Sequence, residues 1–217
     1  MWSEVERWLT RWTPLTGAVA GILLIAAFFA GGNTPNSNAT PASVISYFAR
    51  NGSTAKALAL IGAFAMIFFV FFAVALASRM RGSTAWLANG TVAGAAFGAV
   101  GVVALFSVQY VLGDNARYLN AGSASALNLL SNDLFLPAAA GMCVFGIVGG
   151  LAVVASKVLP RWMGWVLVVI GACCASPLLF FALLVTAAWM LVAGIWLAVR
   201  GLPQVREDEP EVSLAHV

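Results

Sequence analysis

Few side chains in this 217-residue chain could do chemistry, and most of them gather in two short stretches. Ser107, Gln109, Tyr110 and Asp114 follow one another closely, with Arg117 just beyond; Asn132 and Asp133 immediately precede a later apolar run. Tyr47 and Arg50 lie in an earlier polar segment. Brought together, Gln109, Tyr110, Asp114, Arg117 and Asp133 would line a polar pocket, with Arg117 or Arg50 neutralising an aspartate. Such a pocket would hold a polar group by hydrogen bonds and ion pairing. Asp114 and Asp133 would become an acid–base pair only if their carboxylates reached one shared proton or water. The alternative is that all these residues simply meet water at an interface.

The absences narrow the chemistry further. The sole histidine is His216, near the end of the chain, so a haem-ligating His pair, a His-rich zinc site and a Ser-His-Asp triad are not available. Six of the eight carboxylates lie in the terminal segments, leaving Asp114 and Asp133. Cys143, Cys173 and Cys174 fall in apolar runs and read as small hydrophobes, with no basic neighbour to activate a thiol. No charge or histidine interrupts the middle of an apolar run, where it would mark a proton or ion path. The expectation is therefore no catalytic residue, no metal and no cofactor.

The elements that must position the polar residues follow from composition. Hydrophobic residues make up 62% of the chain and charged residues 9%, and the mean hydropathy is +0.95. Soluble domains carry roughly 25% charged residues. This excludes a soluble globular domain, a disordered chain and a nucleic-acid-binding module, and it makes the lipid bilayer the principal partner. A hydrocarbon slab of ~30 Å takes about 20 helical residues at 1.5 Å each. Six segments meet or approach that length: about 15–31, 55–78, 86–112, 134–156, 162–175 and 178–199. The last two come from one apolar stretch divided at Ser176-Pro177, because proline disfavours helical geometry at the residue before it. Strands are excluded, since these runs lack the alternation of a barrel and an open sheet edge cannot face lipid. The expected fold is all-α: a polytopic bundle of six transmembrane helices.

Positive charge orients it. With six spans and a cytoplasmic N-terminus, Arg7, Arg11, Arg79, Arg81, Lys157, Arg161, Arg200 and Arg206 lie inside, and Arg50, Lys56 and Arg117 outside. Five spans would move Arg200 and Arg206 out and erase the bias, so both termini are expected to be cytoplasmic. The first apolar run is long for a signal sequence and no small-x-small cleavage site follows it, so it reads as a retained span. Residues 1–13, with Trp2, Val5, Leu9 and Trp12 at helical spacing, suit an interfacial helix; residues 14–201 form the transmembrane domain; residues 202–217, acidic and with Pro203 and Pro210, suit a disordered tail. Two loop helices are also expected. One starts at Thr40-Pro41, shows Val44, Ile45 and Phe48 on one face and ends near Asn51-Gly52. The other is capped by Ser123 and uses Leu127, Leu130 and Leu134.

Glycine spacing shows how the helices would meet. Gly90, Gly94 and Gly98 recur every four residues on one helix face, with Gly101 close by; Gly17 and Gly21, and Gly146 and Gly150, repeat the device. Small residues let backbones approach closely where lipid provides no hydrophobic drive. The faces serve either packing within the chain or contact with a homodimer mate or another membrane protein.

The segment Leu159-Pro160-Arg161-Trp162-Met163-Gly164-Trp165 resembles a Leu-Pro-x-Trp-x-Gly-Trp signature of uncharacterised six-span membrane proteins of actinobacterial type. The Thr40-Pro41 to Arg50-Asn51 loop and the Asn132–Phe135 lead into the fourth span are similar to that family as well. The resemblance implies six spans and a bacterial plasma membrane, and it supplies no catalytic residue. Three functions stay open: a non-enzymatic protein that binds a lipid or small ligand or serves as an accessory subunit; a small transporter or channel using the outward polar pocket; and a membrane enzyme acting on a lipid-like substrate through Asp114 and Asp133.

Overall fold

The computed structural model of the chain describes residues 12–31, 34–80, 85–176 and 179–200. The tail at 202–217, and all but the last two residues of the N-terminal segment 1–13, lie outside the described residues. The described residues are helical wherever they form regular structure. In chain order the helices are α1 (Leu15–Gly31), α2 (Pro41–Arg79), α3 (Ala85–Asn115), α4 (Ala121–Asp133), α5 (Phe135–Ser156), α6 (Arg161–Cys173) and α7 (Leu179–Arg200). Four helical segments are long and apolar enough to cross a membrane: 41–79, 85–115, 181–200, and α4 with α5 end to end over 121–156. Helices α1 and α6 are apolar but shorter.

Two of the loop expectations need correction. The helix beginning at Pro41 does not stop at Asn51-Gly52 but runs unbroken for 39 residues. Its start is as expected, with the Thr40 hydroxyl accepting from the Ser43 N–H at 3.4 Å. Gly52 does not cap a helix end. It lies where α2 crosses α3, and a Cβ there would collide with the Gly113 carbonyl oxygen. The second loop helix is capped by Asn120, whose Oδ1 accepts from the Ser123 N–H at 2.8 Å, so Ser123 is the capped residue. Its buried face is Ala124, Asn128 and Ser131, while Leu130 is exposed.

Helix packing forms a ring in the order α1, α2, α3, α5, α6, α7, closing back on α1. The glycine faces make the contacts. A Cβ on Gly90, Gly94 or Gly101 would strike Val148, Phe145 or Ala138 of α5, and one on Gly98 would press on Met142 and Gly141. The tandem stripe of the third span is thus covered by the chain's own α5. Gly146 and Gly150 meet Gly171 and Gly164 of α6, and Gly21 meets the Ala187 carbonyl of α7. Gly194 of α7 lies against the Pro14 carbonyl and the Ala18 N–H, so the start of α1 and the end of α7 share one end of the bundle. The ring closes between α6 and α7 where Trp189 Nε1 donates to the Met163 carbonyl at 3.0 Å.

The interior of the ring is aromatic. Phe69, Phe72 and Phe145 have no exposed surface. Phe145 stacks edge-on against Phe69 at 4.9 Å and against Trp189 at 6.5 Å, with Phe72 6.2 Å from Trp189. The outside is apolar too: Ile67 and Phe71 on α2, Phe97 and Val100 on α3 and Val169 on α6 are all exposed. A surface of that kind suits hydrocarbon rather than water. Exposed Trp86, Trp162 and Trp165 gather at the starts of α3 and α6, where amphipathic rings suit a membrane interface.

At ~1.5 Å per residue α2 is ~58 Å long, well beyond a ~30 Å slab. Its first turns project past the ring at the end opposite Pro14 and Gly194. There Val44 and Phe48 of α2, Leu112 of α3, Ala116 just after α3 and Ala124 of α4 form a second small core. The cap joins α4 to the ends of α2 and α3.

Candidate binding cavity

Beneath the cap lies a cavity of about 390 Å³, walled by α1, α2, α3, α4, α5 and α7. Its cap end is polar, with Thr34, Gln109, Asn128, Ser131 and Asn132. Its deep end is apolar, with Leu24, Met66, Val102, Met142, Leu184 and Ala187 among the walls. Below those residues the aromatic layer of Phe69, Phe72, Phe145 and Trp189 fills the ring.

Helical geometry places the polar set. Asn128, Ser131 and Asn132 recur at i, i+3 and i+4 and so share one face of α4. Asn128 and Ser131 are buried and Asn132 is exposed; burying the Asn128 amide would be costly without a partner, and it has one. Asn128 Nδ2 donates to the Asn36 carbonyl at 2.8 Å, which ties the α1–α2 connection to α4. Asn132 Nδ2 donates to the Asn128 carbonyl at 2.8 Å. Both amides keep their side-chain oxygens free of protein donors among the described residues. Gln109, half-buried on α3, has no hydrogen-bond partner among the described residues, so its whole amide is offered to the cavity.

Of the residues expected to form an outer pocket, Gln109 lines this cavity. Tyr110, Asp114, Arg117 and Asp133 are exposed and do not line it. The aspartate partner expected to be Arg117 or Arg50 is Lys56, whose Nζ lies 2.7 Å from Asp114 Oδ1. Arg50 instead donates through Nε to the Ser46 carbonyl of its own helix at 3.2 Å. The Lys56–Asp114 pair is solvent-facing and clips α2 to α3 near the Gly52–Gly113 crossing; pairs of this kind add little stability and are screened by salt. Tyr47 donates through its hydroxyl to the Gly31 carbonyl at 3.3 Å, fastening α2 to the end of α1.

Thr34, Asn128 and Ser131 were not among the residues expected at a site. The leucines at 127 and 130 drew the apolar reading of α4, yet Asn128, Ser131 and Asn132 carry the same helical spacing. That polar stripe was the available signal.

Among the described residues no charged side chain lines the cavity. Ser131 has a hydroxyl, but no histidine or carboxylate stands beside it on the lining to take its proton. The lining can hydrogen-bond and solvate an apolar chain; it offers no nucleophile–base pair. Among the described residues no three His, Cys, Asp or Glu side chains gather as a metal site. Compared with protein-family models, curated proteins and solved structures, the chain matches none.

Proposed function

We propose that this chain is a six-span protein of a bacterial plasma membrane, with both termini cytoplasmic, that holds a lipid or small ligand in the cavity without reacting it. The observation that carries the reading is the cavity's division into a polar cap end and an apolar deep end. A volume of about 390 Å³ falls in the ~300–1,000 Å³ range of small-molecule sites, which are mostly apolar with a few placed polar groups. The Lys/Arg bias puts the cap on the outer side, and the family resemblance supplies the bacterial membrane. The closed aromatic layer speaks for a chamber rather than a conduit, and the uncharged lining for binding rather than chemistry. The role as an accessory subunit is compatible with this, the apolar exterior leaving room for a membrane partner.

Native mass spectrometry of the detergent-purified protein tests the proposal. The chain is expected to retain one lipid-sized adduct, and Leu184→Trp, which fills the cavity from α7, is expected to lose it. Absence of any adduct from wild-type protein, under the mildest activation that strips the detergent, would count against it.

A further inference from the structure

The lining defines the polar end of the occupant. Every described side chain on it is uncharged. A phosphate, carboxylate or ammonium group placed there would lose its water and gain no counter-charge, which strongly disfavours it. The protein groups waiting at the cap end both donate and accept. Asn128 and Asn132 have each committed one N–H to a backbone carbonyl, which leaves each an Oδ1 acceptor and a second N–H, and Gln109 adds a carbonyl and two N–H donors with no partner among the described residues. Hydroxyl groups, which both donate and accept, match that set.

Resting on the binding function proposed above, we infer that the cavity takes an uncharged, hydroxyl-bearing amphiphile, with its hydroxyls on Gln109, Asn128 and Asn132 and its chain directed toward Met66, Met142 and Ala187. Charged lipids are rejected at the cap end, and the chain is bound by the apolar walls alone.

The test compares a monoacylglycerol with a lysophosphatidylglycerol of the same chain length, each titrated onto delipidated full-length protein and read by native mass spectrometry. The uncharged probe is expected to bind one per chain and at least about tenfold tighter than the anionic one. Gln109→Leu is expected to weaken the monoacylglycerol about fivefold, as loss of hydrogen bonds implies, while leaving the anionic probe nearly unchanged. Leu184→Trp should remove binding of both, and Leu105→Trp, from the opposite wall, serves if the first variant does not melt cooperatively. Equal or tighter binding of the anionic probe, still lost in the filled variants, overturns the headgroup inference and leaves the binding function standing. Binding of neither probe, or binding untouched by both filled variants, overturns the binding function and this inference with it.

Discussion

Substituting Gly94 by alanine probes whether the glycine stripe of α3 is a seam within the chain. A Cβ at Gly94 would lie 2.6 Å from the Phe145 backbone nitrogen and 3.0 Å from the Val144 carbonyl carbon. Ordinary contact begins near 3.4 Å, so α3 and α5 would have to part by up to 3.4 − 2.6 = 0.8 Å. Neither obstacle is a side chain that can swing aside. A gap of ~0.5–1 Å forfeits a quarter to a half of each dispersion contact across it, and overpacking of this kind costs about 1–3 kcal/mol. Alanine's better helix propensity, up to about 1 kcal/mol, offsets part of this. The net expectation is a loss of about 1–2 kcal/mol for Gly94→Ala, read as unfolding free energy in mild detergent by steric trapping or denaturant titration. Gly122→Ala is the control: its Cβ would come no closer than 3.5 Å to Asn120 Oδ1, and stability should hold or rise slightly. Oligomeric state should not change in either variant. The reasoning is refuted if Gly94→Ala is as stable as wild type, or if its main effect is to dissociate a dimer, since the stripe would then face a second copy.

Trp189→Phe removes the donor to the Met163 carbonyl that closes the ring between α6 and α7; a loss of about 1–2 kcal/mol is expected, seen in the same unfolding assay. Asn128→Leu deprives the Asn36 carbonyl of its partner, and limited proteolysis should then cut the 34–40 connection faster, with a stability loss of about 1–3 kcal/mol. In proteoliposomes, neither Gln109→Ala nor Asp114→Ala should change the flux of small polar solutes, because wild-type protein should carry none above protein-free vesicles; flux abolished by either substitution would instead establish a transporter.

Much of the architecture was legible from sequence because lipid imposes simple rules. Five apolar helical segments begin and end within a few residues of where span length and Ser176-Pro177 place them, the second ends as expected at Arg79 but starts at Pro41 rather than near 55, and Pro160 precedes α6. Two features escaped for physical reasons. Asn51-Gly52 reads as a helix stop when only local conformation is weighed, but its glycine serves a crossing with α3 that no neighbouring residue announces. Asp114 has three basic candidates in the loops, and only the helical phase shared by α2 and α3 brings Lys56 to it. Gln109, among the expected pocket residues, lines the cavity, whereas Tyr110, one residue on, is rotated away by the ~100° step of a helix. The amides of α4 were hidden by more conspicuous leucines.

Site-directed labelling with a membrane-impermeant maleimide, on a background lacking Cys143, Cys173 and Cys174, tests the outward-facing six-span bundle most directly. Single cysteines at Ser43 and Ser123 mark the cap, and single cysteines at Ser78 and Ser156 mark the opposite ends of α2 and α5. Labelling of positions 43 and 123 in intact cells, with 78 and 156 reached only after permeabilisation, is the predicted result. Labelling of 123 and 156 from the same face of the membrane would contradict the bundle and the outward cavity together.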